Sequence, residues 1–259
     1  MKETSTKANA EFTSHPIVRG LFELARPLIV NETQTENLTV ANLYSLDVFD
    51  AVSPLIQSFE LLERSQNFAT LIPSEKYLKG LNINRYEWLE YHISTFLIAF
   101  ATVGDEALLL VNEVQCLGID PRDCHSRIVK GNKWVKDTSI PKRLNAIEKV
   151  ISPHKNTRNL LVYRGKMPSL DSLCKTDGID QLKKISFVLQ HSPEAFPEVM
   201  RSKTDHAFVN AIIKIDKALD GELCQLRAAV WQLLTDLHKF YSQRLSILSS
   251  NALNEKPTN

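Results

Sequence analysis

The sequence predicts an all-α fold, a helical bundle with extra flanking helices, on three observations. Glycine is scarce, at eight in 259 residues. Runs of alternating β-branched residues are few, and the longest apolar patterns repeat at the three-and-four spacing of a core-facing helix. The clearest pattern spans Tyr86 to Leu117. Its main stripe is Leu89, Ile93, Phe96, Phe100, Ala107, Val111 and Val114, and its opposite side carries Tyr91, Ile98, Thr102 and Leu109. A helix that is apolar on two sides is central: its second side is covered by the same bundle or by a second copy of the chain.

The other elements follow in chain order. Residues 1–15 are polar and patternless and read as a disordered tail. One helical domain is expected from 16 to 248, and a second tail from 249 to 259. Pro16 to Val30 supports an amphipathic turn or two, broken at Pro27. Ser45 to Phe68 is the first substantial helix, with Leu46, Phe49, Val52, Ile56 and Phe59 along one side. Pro54 either kinks it or marks a later start, with Ser53 as the cap. Asn84 caps the central helix, which stops near Gly118. From Asp120 to Ser139 a short helix and loop are anchored by Ile128, Trp134 and Val135. Pro141 to Ile151 is a short helix, and Ser152 with Pro153 opens a new one that runs to Arg164 and ends at Gly165. Gln181 to Leu189 is a modest helix. Thr204 caps another to Leu219, and Glu222 to Leu248 is the last, with Leu223, Leu226, Val230, Leu233, Leu237 and Phe240 at heptad-like spacing.

The four cysteines form no CxxC pair, which reads as free thiols in a reducing compartment with no structural zinc. No signal-like segment opens the chain, and the longest uncharged run, Tyr91 to Gly104, falls short of the ~20 residues that span a bilayer. A soluble, cytoplasmic protein without a membrane partner is the expectation. Charge is unevenly placed. Residues 31–119 hold twelve Asp/Glu against four Lys/Arg, and residues 120–166 hold twelve Lys/Arg against four Asp/Glu. Such a basic block attracts phosphate, and it is also what a solvated face or a surface packed on the acidic half looks like.

Several chemistries leave no trace: there is no glycine-rich phosphate loop, no HExxH, no GxSxG and no repeated Glu-x-x-His. Glu87 and Glu90 share a helix side and read as solvated rim carboxylates. The stretch His154 to Pro168 is different. It sets Arg158 and Asn159 immediately before the apolar triplet Leu160, Leu161 and Val162, then ends its helix with Tyr163, Arg164 and Gly165.

On these residues the chain resembles the HEPN family, helical domains of bacterial toxins, abortive-infection proteins and RNA-processing enzymes. The family motif is an arginine, often followed by asparagine, with a histidine after four to six intervening residues. Arg158 and Asn159 match its start, and Val162 with Gly165 matches its frame. At the histidine positions stand Tyr163, Arg164 and Gly165, so the motif is degenerate. The pattern from Tyr91 to Ile119, with Asp105 near its middle, is similar to the family's long second helix, whose acidic residue contacts the motif arginine.

The resemblance implies a bundle of the HEPN type that dimerises to bring two motifs into one cleft. There arginine binds phosphate through its planar fork, and histidine assists attack by an RNA 2′-hydroxyl. The expected site is Arg158, Asn159 and Tyr163, supported by Asp105 and His154, with Arg164 and Lys166 binding RNA and no metal or cofactor. A tyrosine with an ordinary pKa near 10 is a poor general base at neutral pH. Tyr163 also reads as a half-buried aromatic with its hydroxyl in water, His154 as an exposed first-turn residue or a substitute for the missing histidine, and Arg158 as a helix-pairing partner of Asp105. Two functions are expected. One is a homodimeric relative of metal-independent endoribonucleases that engages RNA or another phosphate-bearing ligand through a degenerate site. The other is a non-catalytic dimeric scaffold or regulatory partner in a defence or toxin system.

Overall fold

The computed structural model describes residues 12–30, 38–165, 169–171, 178–191 and 198–254, and among them there is no strand. The helices are α1 (Pro16–Val30), α2 (Val40–Thr70), α3 (Glu75–Gly80), α4 (Arg85–Val114), α5 (Ser126–Gly131), α6 (Ile140–Arg164), α7 (Ile179–His191) and α8 (Glu198–Asn254). The fold is all-α, as the composition and periodicity predict. Lys166, residues 1–11 and residues 255–259 lie outside the described residues.

α4 starts where the sequence places it. The Asn84 side chain accepts from the N–H groups of Tyr86 and Glu87, and the Glu87 carboxylate accepts from the N–H of Asn84 at 2.7 Å. That reciprocal capping box satisfies donors that the first turn leaves open, so Glu87 is a cap rather than a loose rim carboxylate. Every member of the main stripe, Leu89 through Val114, is buried. By length and composition alone α4 could cross a membrane; here its stripe is covered by protein, the property of a core helix. On the opposite side Tyr91 and Ile98 are exposed.

Proline fails to break three helices. α1, α2 and α6 continue through Pro27, Pro54 and Pro153. In α6 the expected boundary at Ser152 is absent because Ile147, Ile151 and His154 form one buried stripe across it, while Ser152 and Pro153 face solvent. Burial on both sides outweighs the ~3 kcal/mol cost of an internal proline. The same logic corrects the two expected C-terminal helices. Ile215, Leu219, Leu223, Leu226, Val230, Leu233 and Leu237 are buried along one continuous side of α8, and Gly221 sits on its exposed face. Thr204, expected as a cap, is a buried residue inside that helix.

The chain divides into two compact units. The first comprises Met1–Glu60, Thr102–Ile151 and Leu226–Asn259. Its core closes around Tyr44, whose hydroxyl donates to Val114 O at 2.9 Å and whose ring stacks on Tyr241; the Tyr241 hydroxyl lies 3.0 Å from Ser45 Oγ. Phe12 is buried against Phe59, and His15 packs edge-on to Trp231. Packing therefore begins inside the stretch expected as a tail. At Gly104 α4 and α6 approach closely within this unit: a Cβ there would stand 3.1 Å from Ile151 Cδ1. Between α4 and α6 the buried anchors are Val129 and Val135, while Ile128 and Trp134 are exposed. Val135 is buried as expected, whereas Val129 rather than its neighbour Ile128 is turned inward. Part of the basic block is neutralised here, with Lys130 on Glu148 and Arg143 on Asp236.

The second unit comprises Leu61–Ala101 and Ser152–Gln225. It buries Leu89, Ile93, Phe96, Phe100, Ile215 and Leu219. The Arg85 guanidinium lies 4.6 Å over the Phe208 ring and pairs with Asp205.

Candidate nucleic-acid interface

α6 delivers the motif residues from a well-buried stem to an open end. Gly165 has a φ of +57° and its N–H bonds to Leu161 O at 3.1 Å, a left-handed stop that glycine adopts without a Cβ penalty. Arg158 is half-buried about two turns before that stop, and Leu160 and Leu161 are half-buried between them. Its Nη1 lies 3.5 Å from Asn159 Oδ1. Asn159, Val162 and Arg164 are exposed, and Tyr163 is 77% exposed. The last two turns thus offer an amide, a phenol and a guanidinium to solvent within six residues.

His154 departs from its expected place. It is 8% exposed, its Nε2 lies 3.0 Å from Glu222 Oε2, and its ring stands edge-on to Phe100 at 5.4 Å. The continuous helix causes this: with no boundary at Ser152, His154 lies on the same side as Ile147 and Ile151 and is carried into the core. Nδ1 is buried without a hydrogen-bond partner, so the histidine nearest the motif arginine in sequence is largely withdrawn from solvent. Asp105 belongs to the first unit and is exposed on α4, whereas Arg158 belongs to the second.

Two features of the second unit escaped the sequence reading. Glu222 has no local signal, because it meets His154 from a helix 68 residues away in the chain. Glu90 is no solvated carboxylate: it is paired with Lys183 of α7. The run Lys183, Lys184, Phe187 gives α7 a basic and aromatic pattern that is legible in the sequence. No metal-binding group of three or more His, Cys, Asp or Glu occurs among the described residues. No protein-family model, no curated protein and no solved structure matches the chain.

Proposed function

We propose that this protein is a HEPN-like, homodimeric RNA-binding protein of the cytoplasm whose site holds phosphate without cleaving the strand. One observation carries the reading: the last two turns of α6 present Asn159, Tyr163 and Arg164 to solvent beside a half-buried Arg158, while the histidine of the same helix, His154, is buried against Glu222. Arginine and asparagine side chains make the backbone contacts that supply affinity without sequence preference. Among the described residues the last two turns of α6 expose no histidine, and without such a base the ~10²- to 10⁴-fold that it contributes is lost. The test is direct. Purified protein incubated with total RNA in EDTA should retain RNA in a complex and leave its length distribution unchanged; efficient cleavage that survives Arg158→Ala would overturn the reading.

A second reading, a protein-binding scaffold, is favoured by a separate observation in the second unit. Phe68, Tyr77, Trp88 and His92 form a ring cluster with centroids 4.4 to 6.2 Å apart. Phe68, Leu71, Ile72, Tyr77, Leu81 and Tyr91 are all exposed there. Exposed apolar surface of this kind marks interaction sites. Protein that binds no RNA at low salt would favour the scaffold.

A further inference from the structure

In the first unit the basic block is concentrated on one short stretch. Ser126 to Lys142 carries five Lys/Arg and a single acidic residue, Asp137. Lys130 is consumed internally, bonded to Asn145 and Glu148 of α6 at 2.7 and 2.8 Å. Arg127, Lys133 and Lys142 are exposed and form no ion pair among the described residues. Lys136 meets the exposed Asp137 at 3.9 Å, a surface pair that contributes little and leaves the ammonium open to other anions.

Trp134 stands among these charges, 64% exposed. The turn between α5 and α6 holds it there. Asn132 Oδ1 accepts from the Trp134 N–H at 3.0 Å, Asn132 O accepts from the N–H groups of Val135 and Lys136 at 2.9 Å, and the Thr138 hydroxyl donates to Val135 O at 2.7 Å. Val135 takes the inward place and is fully buried, so a braced backbone presents the neighbouring indole to solvent. Lys133 Nζ lies over the indole ring, 5.1 Å from its centroid, within cation–π range. Among the described residues the indole makes no ring–ring contact and its Nε1 no hydrogen bond.

A solvent-facing tryptophan among open cations is the complement of a base and its phosphates. We propose that this turn is a contact for single-stranded RNA, with one base stacked on Trp134 and phosphates at Lys133, Lys136 and Arg127. Stacking on an aromatic side chain beside cations holds single strands without sequence readout. Lys133 and Lys136 are three residues apart, so their Cα atoms lie within ~11 Å of each other, close enough to serve neighbouring phosphates. A lipid surface suits the turn less well: the ammonium over the ring would enter with the indole, and in this stretch only Ile128 adds another large exposed apolar side chain. The inference rests on the RNA-binding reading for its polymer, while its contacts all lie in the first unit and none is shared with the end of α6.

The experiment titrates the full chain with a labelled single-stranded decauridylate at low salt, by anisotropy and by intrinsic tryptophan fluorescence, and repeats the binding with vesicles of anionic phospholipid. The strand should quench part of the parent's tryptophan emission. Trp134→Phe should lose that quench and keep most of the affinity, and Trp134→Ala should weaken binding by ~5- to 150-fold. Lys133→Ala and Arg127→Ala should each weaken it and lower the slope of log affinity against log salt by ~0.7. These side chains are exposed, so the variants retain the fold. Equal affinity in Trp134→Ala overturns the assignment, and vesicle binding that Trp134→Ala abolishes while RNA stays bound makes the turn a lipid contact instead. A strand weakened by Arg164→Ala but untouched by Trp134→Ala removes this contact and keeps the α6 reading. The converse pattern keeps this contact and removes α6, and a parent that binds no strand removes both.

Discussion

Nε2 of His154 and Oε2 of Glu222 stand 3.0 Å apart, joining α6 to α8 inside the second unit one turn before the motif arginine. The His154 side chain is 10% exposed and that of Glu222 34%, so the pair is only partly screened. Glu222→Ala leaves the buried ring without its partner and should lower stability by about 1 kcal/mol, within the range for lost buried hydrogen bonds. Thermal melts should show a drop of roughly 2–4 °C. A His154→Asn, Glu222→Ala cycle with no coupling would remove the pairing from the account.

Glu106 predicts a pH dependence in the first unit. Its Oε1 accepts from the Ser58 hydroxyl at 2.8 Å and its Oε2 is buried without a hydrogen-bond partner. Burial pushes the carboxyl from 4.5 up to about 7; the nearby Asp105 charge adds to this and the Ser58 hydrogen bond opposes it. The folded protein therefore keeps a proton that the unfolded chain releases above 4.5, and this group's contribution to stability falls as pH rises from 4.5 to 7. Glu106→Gln removes the ionisation. It should raise the melting temperature relative to the parent by several degrees more at pH 8 than at pH 4.5, at about 2–4 °C per kcal/mol. A difference that does not change with pH would contradict the assignment.

Much of the scaffold was legible because burial and periodicity agree there. The α4 stripe, the Asn84 cap and the Gly165 stop are local features whose physics is complete within a few residues. The prolines misled because the cost of Pro153 is local, whereas the burial of Ile151 and His154 that outweighs it comes from other helices. The site was legible as a segment but not as an arrangement. Arg158 and Asn159 announce themselves by sequence; the burial of His154 depends on Glu222, which no spacing rule connects to it. The exposure of Tyr163 follows from its place in the last turn, just ahead of the glycine that ends the helix.

Tyr163→His probes whether the surface lacks only a base. The side chain is in solvent, so the substitution leaves packing intact. In EDTA the variant should cleave RNA that the parent leaves whole, with a rate that rises as the imidazole deprotonates. If neither form cleaves, the site lacks more than a histidine and the scaffold reading gains.

The proposed homodimer would pair through the side of α4 that carries Tyr91 and Ile98, both exposed. A stable pair buries more than ~1,000 Å² in total, and a charge at the centre of such a surface is left unpaired. Tyr91→Glu with Ile98→Glu should convert the dimer to a monomer in light scattering at micromolar concentration, with the helical content unchanged. A parent protein that is already monomeric would rule this interface out.

The salt dependence of RNA affinity tests the central claim most directly. For a single strand, each phosphate neutralised by Lys or Arg contributes ~0.7 to the slope of log affinity against log salt. Arg158→Ala and Arg164→Ala should each weaken binding and reduce that slope by about 0.7. Affinity and slope unchanged from the parent in both variants would show that RNA does not meet the end of α6.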